Sequence, residues 1–227
     1  MATKTEQQPA ARSDRTRQAI MRAALQVFLQ HGYVGATTDQ VAARAAVSKQ
    51  TLYRNFADKQ RLFAEVVLDS TVSLAGELAD AAVVSLDGAH DVHEAIRTFA
   101  RGFLGGLLVP DVVRLRRLVI AEADRFPEVA RAWFERGFEP MLGTLGAALQ
   151  RLAADGQLRR LDDPRLAAYQ LAALIMYEPM NQVMFAGTDA VPDTAELDRI
   201  VDAAVTVFLG HYGQGAPSTP RPRSRRS

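Results

Sequence analysis

The chain has 227 residues, 48% hydrophobic and 23% charged, with no cysteine and a formal net charge of +1. This is long enough for one or two domains with a real core, and the missing cysteines exclude a disulfide framework and a thiolate metal site. The small net charge hides an asymmetry, because residues 1–60 carry net +5, residues 61–211 net −8 and residues 212–227 four arginines, so a polyanionic partner is expected to meet the head alone.

Residues 1–13 are polar and expected to be disordered. The opening "MATKTEQQPAARSD" lacks the apolar centre of a signal peptide. A first helix is predicted from about Asp14 to Gln30, with Ile20, Ala23, Ala24, Val27 and Phe28 forming one apolar stripe. Gly32 stands where a helix end favours a left-handed residue. In "ATTDQVAARAAV", Thr37 and Gln40 have the spacing of a capping box, which opens a second helix of about two turns. Ser48 is an N-cap, and Val47 with Leu52 makes a hydrophobic staple, so a third helix is predicted at about Lys49–Asn55. Only Ala45, Ala46 and Val47 join these two helices, which forces a sharp crossing angle.

From about Lys59 to Ala75 no Pro or Gly interrupts, and a long fourth helix follows. Breaks at "SLDGAH" and "LLVPD" bracket a fifth at about 90–107, and a sixth covers about 111–125. The seventh is "FPEVARAWFERGFEPMLGTLGAALQRLAADG", ending at Gly156, with Pro140 expected to kink it. Asp163 and Pro164 open an eighth that runs to about Ala186, and a ninth covers about 194–211. The remainder, 212–227, is Pro/Gly/Ser/Arg-rich and expected to be disordered. No apolar run approaches the roughly 18 residues of a membrane span. A cytoplasmic, all-α protein of nine helices is expected, with no membrane partner.

Two short helices, a tight turn and a supporting first helix make a helix-turn-helix at about 37–56, inside a domain of 14–60. In such a pair the second helix enters the DNA major groove with its N-terminal residues on base edges. Val47, Leu52 and Phe56 suffice to hold the third helix, which leaves Lys49, Gln50, Thr51 and Asn55 outward to meet bases or phosphates without partners in this chain. Tyr53 packs its ring and offers its hydroxyl to a phosphate, Thr38 lies in the first turn of the second helix, and Lys59 starts the fourth. With the caps Thr37 and Ser48, these nine are the candidate DNA-binding residues. Pattern alone leaves a helical hairpin with a solvated polar face equally open.

The stretch "TTDQVAARAAVSKQTLYRNFADKQRLF" resembles the DNA-binding domain of TetR-family transcriptional regulators, over about residues 14–75. It departs from the family's pattern at Ala46, where glycine is usual and a left-handed backbone is less well tolerated by alanine, and at Gln50, where glycine or alanine is frequent. The segments "LRRLVIAEADRFPEVARAWFERGFEPM", "AADGQLR" and "DPRLAAYQLAALI" resemble the AefR-like branch. That resemblance implies a ligand-binding and dimerisation domain of six helices over 61–211. It also implies a homodimeric repressor on a palindromic DNA operator, released by a small hydrophobic ligand and needing no cofactor.

In the family the last two helices dimerise, and Leu166, Leu174, Ile200, Ala204, Val205 and Phe208 are apolar enough for such an interface. Candidate ligand contacts are Phe99, Phe103, Leu118, Trp133, Phe134, Phe138, Met141, Met176, Tyr177 and Met180, although such stripes also fill cores. Glu122 shares an apolar face with Leu118, so it is expected either to anchor a ligand or to pair with Arg101 or Arg131. Two other function classes compete. An enzyme would need a phosphate loop or serine elbow, and neither is present; His90 and His93 near Asp87 read as solvated residues rather than metal ligands. A non-specific architectural protein could use the arginine tail, but the acidic body argues against it.

Overall fold

Alanine, leucine and arginine fill the runs between breakers, and these are strong helix formers. The computed structural model describes residues 7–215, with side chains from residue 13 onward. Helices α1 (Gln7–Gly35), α2 (Thr38–Arg44), α3 (Lys49–Asn55), α4 (Lys59–Leu86), α5 (Val92–Leu107) and α6 (Pro110–Ala121) are followed by a continuous run. In that run α7 (Pro127–Trp133) passes through a π-helical turn (Phe134–Phe138) into α8 (Glu139–Ala154). Then come α9 (Pro164–Ala186), a 3-10 turn (Thr188–Ala190) and α10 (Thr194–Tyr212). With α7–α8 taken as one run, there are nine helical runs and no strand among the described residues.

Most boundaries stand where the caps predict. Asp163 accepts a hydrogen bond from the Leu166 N–H, with Pro164 in the first turn of α9, and Asp193 caps α10 in the same way through Glu196. Three boundaries differ. Helix α1 begins at Gln7 rather than Asp14, because the Gln and Ala residues there favour helix and Pro9 falls in the first turn, where its missing N–H is no loss. It is broken at Gly32, where φ is 68° and ψ 176°. Helix α6 stops at Ala121 rather than near 125, because Pro127 disfavours helical backbone at Phe126, whose φ and ψ are −129° and 63°. Finally, the irregularity expected at Pro140 is absorbed just before it. Proline offers no N–H to the preceding turn, and the chain inserts a π turn in which the Glu139 N–H bonds to the Phe134 carbonyl. Residues 1–6 of the first segment expected to be disordered and 216–227 of the second lie outside the described residues, while residues 7–13 of the first are helical.

The chain divides into two compact units. The first comprises residues up to Gly76 together with Val109–Pro140; the second comprises Glu77–Leu108 and the chain from Met141 on. In the first, Ile20, Val27 and Phe28 of α1, Val41 of α2, Leu52 of α3 and Leu62, Phe63 and Val66 of α4 share one core with Leu115, Leu118, Val119, Phe126 and Val129 of α6 and α7. Helices α6 and α7 therefore complete the core beneath the short helix pair. Gly137 in the π turn approaches α4 so closely that any side chain there would overlap Thr71. In the second unit, α5, α9 and α10 pack together. Arg97 of α5 lies 2.7 Å from the Asp202 carboxylate of α10, and Arg101 pairs with Asp198.

Candidate nucleic-acid interface

The short pair is built almost entirely from caps and a few buried anchors. Thr37 and Gln40 form both halves of the capping box, with the Gln40 N–H bonding to Thr37 Oγ1 at 3.2 Å and the Thr37 N–H to Gln40 Oε1 at 2.8 Å. Ser48 Oγ accepts from the Thr51 N–H at 3.1 Å. Between them Ala46 takes φ 53°, and it is the one non-glycine residue with positive φ among the described residues. The turn thus adopts the backbone that glycine favours, with a β-carbon present. Leu52 and Phe56 are fully buried, and Val47 is half-buried against the same core. Arg17 of α1 locks the far end of α3: its guanidinium donates to the Asn55 carbonyl at 3.1 Å, lies 4.4 Å from the Phe56 ring centre and pairs with Glu65 of α4.

What remains of α3 faces outward. Ser48, Lys49, Gln50, Tyr53 and Arg54 are exposed; Thr51, Asn55, Thr38 and Lys59 are half-buried. The expectation that these donors lack partners within the chain needs correcting. Lys49 Nζ sits 2.8 Å from Asp39 of α2, and this hydrogen bond raises the ammonium pKa above its ordinary value. Thr38 and Tyr53 share a hydroxyl–hydroxyl contact of 3.2 Å, Ser48 and Thr51 another of 2.9 Å, and Asn55 Nδ2 donates to the Thr51 carbonyl at 2.8 Å. Exposed polar side chains thus satisfy one another within α3 and between α2 and α3, and such pairs cost little to exchange. Gln50 and Arg54 are the members of this face without an intramolecular partner among the described residues. Arg54 was not among the sequence candidates, although its neighbours Tyr53 and Asn55 were.

Lys59 belongs to a different arrangement. It donates to the Val34 carbonyl at 3.4 Å and lies 4.5 Å above the Tyr33 ring, whose edge packs on Phe126 at 4.7 Å between centroids. Burial lowers the Lys59 pKa, nearby Arg125 lowers it further, and Glu122 opposes both. Glu122 pairs with Arg125 at 3.7 Å, not with Arg101 or Arg131, because it caps α6 and points into the turn that Arg125 also occupies. The cluster of Tyr33, Lys59, Glu122 and Arg125 therefore ties the start of α4 to the α6–α7 turn.

The other candidates separate. In the first unit Trp133, Phe134 and Phe138 line a pocket of about 260 Å³ with Arg116, Val119, Ile120, Ala123 and Ala130, whereas Leu118 is buried in the core. In the second unit Phe99, Phe103, Met141, Met176 and Met180 are core residues, with Phe99 and Phe103 stacked at 5.5 Å, and Tyr177 is 75% exposed. Of the expected dimer contacts, Leu166 and Leu174 are exposed. Ile200, Ala204, Val205 and Phe208 are buried within the chain, because the apolar face of α10 is used against α5 and α9. The exposed large apolar residues on α9 and α10 are instead Leu166, Leu174, Tyr177, Phe185 and Val207, of which Leu174, Tyr177 and Val207 line a groove of about 490 Å³. Asp87 pairs with Arg151 at 2.6 Å, and no group of three or more metal-ligating side chains occurs among the described residues. No helix among them is long and apolar enough to cross a membrane.

A capped helix pair with a three-residue turn and an outward second helix is the arrangement of a helix-turn-helix regulator of transcription. The family described as bacterial regulatory proteins, tetR family, matches residues 20–66, and the family described as AefR-like transcriptional repressor, C-terminal domain, matches residues 94–214. The chain belongs to the TetR family of DNA-binding transcriptional regulators, and it is not an enzyme. A TetR-family regulator of Mesorhizobium loti is 37% identical, superposes with a TM-score of 0.84 and is matched over 98% of its chain and 89% of this one. The flavonoid-responsive regulator FrrA is 29% identical, with a TM-score of 0.70 over 89% of this chain and 100% of that one. The HTH-type transcriptional regulator YezE of Bacillus subtilis is 26% identical over 186 residues, 81% of this chain and 89% of the relative.

Proposed function

We propose that the protein is a cytoplasmic homodimeric repressor that places two α3 helices on a palindromic DNA operator and leaves it when a small hydrophobic ligand binds. The observation that carries the DNA-binding role is the outward face of α3, where Gln50 and Arg54 have no partner among the described residues and only Leu52 and Phe56 anchor the helix fully. Lys49, Gln50 and Thr51 meet base edges from the N-terminal turn. Thr37, Thr38, Ser48, Tyr53, Asn55 and Lys59 serve the phosphates. Division of labour then falls at 60/61, with the head reading DNA and 61–211 serving ligand and partner.

Dimerisation is supported by α9, whose outward side carries large apolar residues among its polar ones. Nine of its 23 residues are buried within the chain, yet Leu166, Leu174, Tyr177 and Phe185 stand exposed on it. Several large apolar side chains left in water on one helix are the mark of a surface that a partner covers, and a second copy covers this one. Two heads about 34–36 Å apart then meet successive turns of the duplex. Release follows from α4, an unbroken helix from Lys59 to Leu86 that carries a ligand-induced shift to the head and changes the population able to bind. FrrA, by its name flavonoid-responsive, supports a ligand of modest size and apolar character.

Selecting bound fragments from random duplexes in moderate salt tests the reading. A short inverted repeat with a discrete footprint is expected, and no preference over scrambled competitor defeats it. Inserting Gly-Gly near Ser70 is expected to leave operator binding intact while abolishing release by ligand.

A further inference from the structure

We infer that the pocket between α6 and α7 is a binding site for a small amphipathic carboxylate, its anion held by Arg116 and its apolar body by Trp133, Phe134 and Phe138. The inference rests on the reading that this regulator responds to a ligand, and it names the ligand's chemical class.

Three observations converge on this pocket. Its walls are apolar apart from one group: Val119, Ile120, Ala123, Ala130 and three aromatic rings surround a single guanidinium. That guanidinium is unpaired. Elsewhere on this helix and its neighbours arginines meet carboxylates, Arg114 at Asp111 and Arg125 at Glu122, but Arg116 has no hydrogen-bond or ion-pair partner among the described residues. Its pKa is lowered by burial alone, with no nearby carboxylate to offset the loss of water. A half-buried charge in apolar surroundings is costly unless an opposite charge joins it. Guanidinium binds a planar carboxylate through two parallel hydrogen bonds, which makes that group the fitting counter-ion.

The pocket's shape narrows the rest of the ligand. At about 260 Å³ it is slightly smaller than the roughly 300–1,000 Å³ usual for ligand pockets, so the occupant's buried part is small. Phe134 and Phe138 stack at 6.1 Å on the π turn, offering a flat aromatic wall. Ile120 and Phe134 remain exposed at the rim, so a longer tail can extend out. The same π turn lies against Thr71 of α4 through Gly137, and Ala123 adjoins Glu122 of the cluster around Lys59. An occupant therefore sits beside two contacts of α4, one at its first residue, Lys59, and one more than three turns further on, at Thr71.

Trp133 is the chain's single tryptophan, so its fluorescence reports this pocket alone. Full-length protein is titrated with 4-phenylbutanoate, with the neutral isostere 4-phenylbutanamide and with the cation 4-phenylbutylamine. Saturable change with the acid is expected, at least about tenfold tighter than with the amide and tighter still than with the amine, as loss of a charge-assisted hydrogen bond predicts. Arg116→Gln, with its helicity checked by circular dichroism, is expected to bind acid and amide alike. Equal binding of acid and amide by the unaltered protein, or no saturable binding of the acid, overturns the inference without depending on the variant's folding. An operator-release assay alongside separates the two readings. If the acid binds through Arg116 but leaves DNA binding unchanged, the site stands and the ligand-responsive reading falls. If only the neutral compound releases DNA, the regulator reading stands and the carboxylate site falls.

Discussion

Helices α3 and α9 both carry side chains that their own chain leaves open, and the two surfaces have opposite chemistry. The seven residues of α3 bury one side chain, Leu52, and lean on Phe56 just past the helix end, while the open face is polar. The 23 residues of α9 bury nine and still expose Leu166, Leu174, Tyr177 and Phe185. Exposure by itself identifies neither. A short helix held by caps and two anchors is too weakly packed to need its polar face for stability, so that face is free for a polyanion. A long helix with a complete internal core has no structural use for further leucine and tyrosine on its outside, so that face is free for an apolar partner.

Removing the anchor of α3 should have the largest effect. Phe56→Ala deletes a fully buried ring on which Arg17 also rests, and a loss of about 3–5 kcal/mol is expected in urea denaturation of the first unit. Tyr177→Ala, a ring that is 75% exposed, should leave the stability of an isolated chain almost unchanged. If both substitutions cost the same, the contrast between the two helices has been drawn wrongly. The apolar face is attacked directly by Leu174→Glu combined with Tyr177→Glu. In sedimentation the mass should fall to that of a single chain, 24.8 kDa. Operator affinity should drop by roughly 10²–10⁴, the usual gain from linking two binding modules. A double variant that remains dimeric would place the partner elsewhere.

On the polar face the effects are smaller and can be sorted by kind. Gln50→Ala should cost about 1–3 kcal/mol of operator binding and relax the preference at one base pair, as loss of a base-edge contact does. Arg54→Ala should weaken all duplexes evenly and lower the slope of log K against log salt by about one, as loss of a phosphate contact does. Exchange of these two outcomes would reverse the roles of the first and last turns of α3.

How much of this was legible in the sequence follows the range of the interactions. Thr37 with Gln40, Ser48 with Thr51 and Asp163 with Leu166 act over three residues, so spacing alone located the helix starts. The lines of contact that complete the site are long-range. Arg17 reaches Asn55 and Glu65, Tyr33 reaches Phe126, and Phe63 reaches Phe126, and no local pattern announces such pairs. Apolar periodicity likewise marked α10 as amphipathic without saying what its face covers. Ile200, Val205 and Phe208 pack inside the chain, whereas the open residues of α9 had to be found by exposure. The pocket arginine was overlooked for a related reason. Arg116 is one of three arginines within four residues, and only their separate partners distinguish it.

The turn between α2 and α3 gives the smallest expected change and the one whose sign is most instructive. Alanine at φ 53° brings its β-carbon toward the following carbonyl, a conformation that costs an L-residue roughly 1–2 kcal/mol. Glycine removes that cost but makes the unfolded chain freer, which returns roughly 0.5–1 kcal/mol. Ala46→Gly should therefore stabilise the protein by about 0.5–1 kcal/mol and leave operator choice unaltered, since the turn keeps its shape. Ala43→Gly, three residues earlier and inside α2, has no strain to relieve and should destabilise by about 1 kcal/mol. Opposite signs at two exposed alanines in neighbouring positions cannot come from composition or general flexibility. Matching losses at both would mean that the turn holds alanine without strain, and that the α2–α3 angle is set by the anchors Leu52 and Phe56 alone.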